Sequence, residues 1–199
     1  MGKETEIKLE VGDLQLLDCI LCDRLIAEKQ QSPFAFIKMQ TTYYDTEDAA
    51  LAQRKWMLRL RMENDRCVIT VKTPGEGHTR GEWECESEYL DEALPKLAAL
   101  GAPAEIGTLD PEQLLPVCGA AFTRITAPLQ LSEQTRCAVC GDLGTLTGGE
   151  KTQLLCELEL ELTDGSEQEL AAFAKQLMDK YHLAEQPLSK LQRARALTT

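Results

Sequence analysis

The sequence has 199 residues, of which 33 are Asp or Glu and 21 are Lys or Arg, so the formal net charge at pH 7 is -12. Hydrophobic residues make up 43% of the chain, which is enough for a packed core and excludes wholesale disorder. The acidic excess disfavours general nucleic-acid binding, because neutralising duplex phosphates requires an excess of Lys and Arg on one face. A local basic pocket is still compatible with this balance.

The residues that most often hold zinc or carry out nucleophilic catalysis are sparsely arranged. There are only two histidines, so a histidine-centred site is not expected. The eight cysteines include two C-x-x-C pairs, Cys19/Cys22 and Cys137/Cys140, which lie too far apart in the sequence for a zinc ribbon. The first pair has helical spacing among leucines, whereas Cys137 and Cys140 would face opposite sides of a strand. We therefore expect reduced, structural thiols.

The start of the sequence is charged and has no apolar segment behind it, which predicts no export signal. No uninterrupted apolar stretch of about 18 residues occurs, so no membrane span and no membrane partner are expected. A cytoplasmic location follows as the expectation.

The chain begins with a predicted strand over residues 4–9, in which charged and apolar residues alternate. A helix is expected over 13–27, where leucines recur at helical spacing until Ser32-Pro33 breaks the pattern. The sequence Asn64-Asp65 between two apolar runs indicates a hairpin. Further strands are predicted at 36–45, 56–62, 67–72, 79–88, 121–131, 134–141 and 154–163. Further helices are predicted at 47–53, 90–100, 111–118, 167–181 and from 188 onwards. No repeat or linker divides these elements, which predicts one α+β domain over residues 1–199.

Charged and apolar residues alternate along most of the predicted strands, and the charges of one sign occur in rows. Residues 82–86 and 157–161 each place three Glu at alternate positions, while Arg59 and Arg61 lie on another strand. An ordinary half-solvated sheet also alternates, but rows of like charge repel unless opposite charges or cations intervene. The amphipathic helices must cover apolar surface, and covering the apolar strand faces would turn the charged faces towards one another. The pattern predicts a nearly closed antiparallel barrel of about eight strands, with a charged lumen and helices packed outside.

Such a lumen would combine two kinds of binding group. Clustered carboxylates bind hard cations such as Mg²⁺ or Mn²⁺, and clustered Arg and Lys bind phosphate oxygens. Together they suit phosphoryl transfer from a polyphosphate bridged to metal. The sequence contains no G-x-x-x-x-G-K-[ST] phosphate-binding loop and no recognisable Ser-His-Asp motif.

Several short motifs resemble those of one family. The segment Glu4-x-Glu6-x-Lys8 resembles the ExExK signature of the CYTH superfamily, the triphosphate tunnel metalloenzymes. Nine further segments resemble the family's motifs in the same order and extend the likeness over nearly the whole chain. They are Tyr43-Tyr44-Asp45-Thr46, Leu58-Arg59-Leu60-Arg61, Thr70-Val71-Lys72, Arg80-Gly81-Glu82-Trp83-Glu84, Phe122-Thr123-Arg124, Thr135-Arg136, Asp142-Leu143-Gly144, Glu157-Leu158-Glu159-Leu160-Glu161 and Ser189-Lys190. The full pattern is most similar to bacterial inorganic triphosphatases.

The resemblance implies an eight-stranded antiparallel tunnel that binds a small-molecule triphosphate or short polyphosphate together with Mg²⁺ or Mn²⁺. The implied activity is hydrolysis of inorganic tripolyphosphate to diphosphate and phosphate. Three alternatives stay open: a class IV-like adenylyl cyclase, a thiamine triphosphatase, and a non-catalytic polyphosphate-binding module.

The resemblance also implies roles for individual residues. Metal would be held by Glu4, Glu6, Asp142, Glu157 and Glu159. Phosphates would be held by Lys8, Arg59, Arg61, Lys72, Arg80, Arg124, Arg136 and Lys190. In catalysis, Glu4 and Glu6 would orient the attacking water and Lys8 would stabilise the developing charge. One position departs from the family: Ala138 occupies a place where related triphosphatases often carry Glu, which bears on metal number and substrate choice.

Overall fold

The computed structural model describes residues 2–198, and this part of the chain contains nine strands and six α-helices. The strands are β1 (Glu4–Glu10), β2 (Ala35–Asp45), β3 (Met57–Glu63), β4 (Arg66–Thr73), β5 (Thr79–Glu86), β6 (Leu115–Gln130), β7 (Arg136–Gly148), β8 (Lys151–Asp164) and β9 (Ala184–Glu185). The helices are α1 (Leu14–Leu21), α2 (Arg24–Ala27), α3 (Ala50–Gln53), α4 (Leu90–Ala99), α5 (Glu167–Tyr181) and α6 (Lys190–Ala196). Two short 3-10 segments, Ala104–Thr108 and Pro111–Gln113, precede β6.

The first eight strands close into an antiparallel barrel. Their order around the sheet is β5-β4-β3-β2-β6-β7-β8-β1, and β1 pairs back onto β5. This closing pair aligns Glu4 with Arg80 and Thr5 with Thr79. The short β9 pairs with the other end of β1, at Leu9. The predicted eight-stranded antiparallel barrel is confirmed, and β9 is an addition that the sequence pattern did not predict.

Helices cover the outside of the barrel on two sides. Leu17 of α1 and Leu170 of α5 belong to a buried apolar cluster with Leu158 of β8. On the other side, Leu94 of α4 belongs to a second cluster with Ile69 of β4. Burying a leucine of this kind contributes roughly 1.5–3 kcal/mol, so these two contacts hold the helices on the barrel.

The alternation of side chains along the strands therefore separates the core from the lumen. On β8, Leu158 and Leu160 pack outwards against the helices, while Glu159 and Glu161 line the cavity within the barrel. This confirms the expectation that covering the apolar faces turns the charged faces inwards. The two thiols of the second C-x-x-C pair also lie in different surroundings. Cys137 packs in the outer core, whereas the Cys140 Sγ lies 3.2 Å from the Thr126 hydroxyl.

Helix boundaries follow capping residues where these are present. The predicted helix over 13–27 is divided into α1 and α2 because Asp23 starts a new helix, and its carboxylate accepts a hydrogen bond from the Leu25 N–H at 2.8 Å. Helix α5 has the predicted bounds: Ser166 caps its first turn, and His182 ends it in the left-handed conformation, with φ of 56°. None of the helices in residues 2–198 combines the length and apolar character needed to cross a membrane.

The helix predicted over residues 111–118 is wrong. Only Pro111–Gln113 forms a 3-10 turn, and β6 begins at Leu115. The start of β6 pairs with the end of β2, and residues from Gly119 onwards also pair with β7, so tertiary pairing overrides the local pattern. Strand β7 likewise continues to Gly148 instead of ending at 141. Gly144 permits this close packing, since a Cβ atom there would lie 2.2 Å from the Ala121 carbonyl oxygen.

Candidate active-site tunnel

A cavity of about 940 Å³ occupies the lumen and is lined by charged side chains from most strands of the barrel. Ten of the residues that the sequence pattern assigned to the site contribute to its wall. They are Glu4, Glu6, Lys8, Arg59, Arg61, Lys72, Arg80, Arg124, Glu159 and Lys190. The fold thus gathers residues from both ends of the sequence into one space.

Three carboxylates form a cluster that faces the cavity: Glu4 and Glu6 of β1 and Glu161 of β8. One oxygen of each lies within 4.8 Å of the others. The β1–β8 register places Glu6 directly opposite Glu161, which explains their convergence. The next residue around the barrel from Glu161 is Ala138, which contributes no carboxylate.

Three cations contact two members of this cluster, Glu4 and Glu6. Lys72 bonds to Glu4, and Arg80 bonds to Glu6. The Lys8 Nζ lies 3.0 Å from a Glu6 oxygen.

Glu161 is the least compensated member of the cluster. Its side chain is 29% exposed, and within residues 2–198 its one ion pair is with the Arg124 Nη1 at 2.9 Å. Burial raises the pKa of Glu161, and neighbouring carboxylates raise it further, although Arg124 opposes them. A carboxylate in this state is one that an added cation would stabilise.

A second group of carboxylates, Asp142, Glu157 and Glu159, lies deeper and is already compensated. The Lys190 Nζ lies 2.7 Å from Asp142 and 2.8 Å from Glu159, and it also bonds to Glu157. The Arg124 guanidinium donates two hydrogen bonds of 2.8 Å to Asp142. A metal ion bound among these three carboxylates would have to displace Lys190.

The pKa values show the same compensation for Asp142 and Glu159, whereas burial outweighs Lys190 at Glu157 and raises its pKa. Burial alone would raise the pKa values of Asp142 and Glu159, but Lys190 and Arg124 outweigh burial and lower both. Neither Asp142 nor Glu157 belongs to the cavity wall. These two predicted metal ligands therefore lie behind Lys190 instead of facing the lumen.

The lumen also has a basic wall, formed by Arg59 and Arg61 of β3 and Lys72 of β4. All three side chains are buried. Burial, with a contribution from the neighbouring Arg59, lowers the pKa of Arg61 to about 10, which leaves the guanidinium charged at neutral pH. Lys72 is closely paired, with Glu4 and, at 3.1 Å, with Glu82. The two arginines are more weakly paired, because the Arg59 Nη2 lies 3.7 Å from Glu82 and the Arg61 Nη1 lies 3.9 Å from Glu63. Buried guanidinium groups whose counterions lie at these distances favour an anionic ligand.

Helix α6 places Lys190 at one end of the tunnel. Its first turn is fixed by a capping box in which Ser189 Oγ accepts a hydrogen bond from the Gln192 N–H and the Gln192 side chain accepts one from the Ser189 N–H. Ala194 packs into an apolar cluster inside the barrel, which includes Phe122. The helix is therefore anchored on one face and presents Lys190 to the carboxylates.

Arg136 does not lie with the other predicted phosphate ligands, and its assignment stays a prediction. It is the first residue of β7, is exposed, and donates from Nε to the Gln130 side chain at 3.0 Å. The strand reaches the end of the barrel at this point, so the side chain lies outside the cavity wall. Strand parity alone did not reveal where along the barrel axis the residue would lie.

Some residues of the site were not assigned from the sequence. Glu161 continues the alternating Glu pattern of β8, and Glu82 occupies the equivalent kind of position on β5, so parity could have identified both. Arg193, which bonds to Glu157, lies three residues after Lys190 on the same face of α6. Thr70 belongs to the Thr70-Val71-Lys72 motif, which gave it no role of its own, and Thr41 carries no sequence signal.

Known proteins share both the sequence pattern and the fold. The CYTH domain family model matches residues 2–194 of the chain. A Haemophilus influenzae protein named inorganic triphosphatase is 32% identical over 140 residues, which cover 68% of this chain and 39% of that protein. The chain thus corresponds to about two-fifths of that relative.

Two solved structures show a similar fold at low sequence identity. One is a candidate adenylate cyclase from Bacillus halodurans, with a TM-score of 0.61, 18% identity and coverage of 97% of this chain and 98% of that one. The other, from Hippeastrum, is described as a candidate adenylyl cyclase with a dominant triphosphatase activity; its TM-score is 0.60 at 17% identity, with 98% and 96% coverage. With the family match extending over nearly the whole sequence, the chain belongs to the CYTH domain family.

Proposed function

We propose that this protein is a divalent-metal-dependent triphosphatase that hydrolyses inorganic tripolyphosphate to diphosphate and phosphate. The observation that carries the proposal is the meeting, in one cavity, of a carboxylate cluster and a wall of buried cations. The name of the Haemophilus influenzae relative supports the same activity.

The cluster of Glu4, Glu6 and Glu161 fits Mg²⁺ or Mn²⁺. Its oxygens lie within 4.8 Å of one another, all three side chains line the cavity, and carboxylates are the ligands these hard cations prefer. When bound, the ion would polarise phosphate oxygens and offset their charge. The second carboxylate group does not fit without losing Lys190, so we assign Asp142 and Glu157 to holding Lys190 and Arg124 in place.

The protein side chains would bind and orient the triphosphate. The cavity wall supplies charged donors, and a contact between a buried cation and a phosphate oxygen is stronger than the same contact in bulk water. The donors are Arg59, Arg61, Lys72, Arg80 and Arg124. This positioning accounts for most of what a protein contributes to phosphoryl transfer.

Glu6 and Lys8 are placed for the proton and charge movements of hydrolysis. The Glu6 carboxylate can accept a hydrogen bond from a water molecule directed at the terminal phosphorus, and Lys8 Nζ, 3.0 Å from Glu6, can stabilise charge that develops there.

All eight cysteines carry free thiols, which supports placing the activity in a reducing compartment such as the cytoplasm.

The purified protein should be incubated with tripolyphosphate, ATP or thiamine triphosphate, each with Mg²⁺ or Mn²⁺. We expect the fastest phosphate release from tripolyphosphate. Cyclic AMP formed from ATP would indicate a cyclase instead, faster turnover of thiamine triphosphate would change the substrate, and binding without turnover would indicate a binding module. Glu6→Gln should lose most activity, whereas Glu86→Gln, an exposed residue paired with Arg66 outside the cavity, should retain it.

A further inference from the structure

Strand β3 carries two lumen-facing arginines, and each lies directly opposite a threonine on a neighbouring strand. Arg61 is opposite Thr41 of β2, and Arg59 is opposite Thr70 of β4. Directly opposed residues have Cβ atoms about 4.5–5.5 Å apart, close enough for their side chains to hydrogen-bond. Both threonines are buried, with exposed fractions of 3% for Thr41 and 0% for Thr70.

The two Arg–Thr pairs differ in one respect. The Arg61 Nε donates a hydrogen bond to the Thr41 hydroxyl at 3.1 Å. The Arg59 Nε and the Thr70 hydroxyl are also buried, yet neither has a hydrogen-bond partner within residues 2–198. The Arg59 Nη2 lies 3.7 Å from Glu82, which is beyond hydrogen-bonding distance. We call the hydrogen-bonded Arg61–Thr41 pair closed and the Arg59–Thr70 pair, which lacks this bond, open.

An open pair of this kind is unusual, because buried polar groups in folded proteins are almost always hydrogen-bonded. Thr70 does not belong to the cavity wall, whereas Arg59, which lies directly opposite it, does. The hydroxyl is thus placed to act on Arg59 and not on a ligand directly.

We propose that Thr70 is the positioning residue of Arg59, and that binding of a phosphate group closes this second pair. This inference rests on the proposed triphosphatase function. The Arg59 guanidinium turns from Glu82 towards the phosphate, and its Nε then donates to Thr70 as the Arg61 Nε already does to Thr41. Fixing Nε sets the plane of the guanidinium, so that its two terminal nitrogens face the phosphate oxygens together. The orientation of the Arg61 guanidinium is thus fixed before the ligand binds, and that of the Arg59 guanidinium is fixed when it binds.

The test uses Thr70→Val, which keeps the shape and removes the hydroxyl, with Thr41→Val as the matched variant. In the absence of ligand, Thr70→Val should unfold no more easily than the parent, because no bond is lost. Thr41→Val should unfold more easily, because the Arg61 Nε loses its acceptor. A Thr70→Val variant as destabilised as Thr41→Val would overturn the inference, since the hydroxyl would then be bonded, for example to water, in the free protein.

Binding of tripolyphosphate in the presence of Mg²⁺, measured by calorimetry, supplies the second readout. Thr70→Val should raise Kd about five- to tenfold, and Thr70→Ser should restore it. In an Arg59→Lys background, Thr70→Val should have no further effect, because lysine lacks the Nε donor. An unchanged Kd, or an equal effect in both backgrounds, would contradict the inference. A parent protein that neither binds nor hydrolyses tripolyphosphate would refute the proposed function itself, and this inference with it.

Discussion

Lys190 is the residue on which the charge balance of the inner tunnel depends. Its Nζ contacts three buried carboxylates, Asp142, Glu157 and Glu159, at once. Burial alone would lower the pKa of Lys190, but these carboxylates raise it well above the usual value. The ammonium is therefore part of the folded structure as well as a candidate phosphate ligand.

Replacing Lys190 by Met should lower the free energy of unfolding by about 3–5 kcal/mol, because buried carboxylates lose their counterion. Urea denaturation at pH 7 measures this loss. Lys175→Met is the matched control, since Lys175 is 71% exposed and pairs with Asp179 on the surface of α5. We expect its effect to stay within about 0.5 kcal/mol. Equal stability of the two variants would contradict the proposed balance.

The charge of Glu159 also affects the stability of the inner tunnel. A row of Glu suggests that removing one charge would relieve repulsion in the metal-free protein. The structure indicates the opposite, because Arg124 and Lys190 both bond to Glu159 and lower its pKa far below the usual value, despite burial. A lowered pKa means that folding favours the charged form, so Glu159→Gln should cost stability.

Thermal unfolding in EDTA measures this effect, and we expect Glu159→Gln to lose roughly 1–3 kcal/mol. Glu161→Gln serves as the control, because burial and neighbouring carboxylates raise the pKa of Glu161. Its neutral form is therefore the less costly one in the fold, and its melting temperature should fall less. A Glu159→Gln variant at least as stable as the parent would restore the repulsion argument.

Among the elements, the junction between α1 and α2 is tied to the end of α5 through one carboxylate. Asp23 accepts hydrogen bonds from the Lys180 ammonium and the Tyr181 hydroxyl, in addition to capping α2. These contacts, Lys180 first, lower the pKa of Asp23 to about 2. Burial, and to a lesser extent the hydrogen bond to Asp23, raises the pKa of Tyr181 to about 12.

The Asp23→Asn variant should show a pH-dependent loss of stability. The folded pKa of about 2 lies below the unfolded value of about 3.9, so the carboxylate stabilises the fold above about pH 4, and this contribution disappears as the pH falls towards 2. Asparagine still caps α2, so the loss reports the link to α5. We expect about 1 kcal/mol at pH 5–7, because Lys180 is half exposed and partly screened.

Denaturant unfolding at several pH values measures the difference between parent and variant, which should shrink between pH 4 and 2. Asp179→Asn is the control, because Asp179 lies on α5 beside Lys180 and has an exposed ion pair to Lys175. A difference that is independent of pH would show that the Asp23 charge has no part in the link.

Across the whole molecule, the barrel brings the carboxylate cluster and the basic wall into one lumen, so a metal ion and a triphosphate should depend on each other for binding. EDTA should abolish phosphate release, and added Mg²⁺ or Mn²⁺ should restore it. Metal with tripolyphosphate should also raise the melting temperature by mass action, and less so in Glu4→Gln. Undiminished turnover in excess chelator would exclude the metal-dependent mechanism.

The sequence by itself determined which face of each strand is apolar and which is charged. Alternation along β8 separates Glu159 and Glu161 from Leu158 and Leu160, and this local period depends only on strand geometry. Once the leucines had helices to pack against, the glutamates had to face inwards. The bounds of α5 were equally local, since they depend on a serine cap and an apolar stripe.

Tertiary structure alone decided which charges meet. Lys190 reaches Asp142 only because α6 returns to the barrel, and this contact pairs a residue predicted as a metal ligand with a buried lysine. Barrel closure likewise brings Glu4 opposite Arg80, 76 positions later in the sequence. Parity assigns a side chain to a face, but its height along the axis and its partner depend on the register with the neighbouring strands, and for these pairs the partners are distant in sequence.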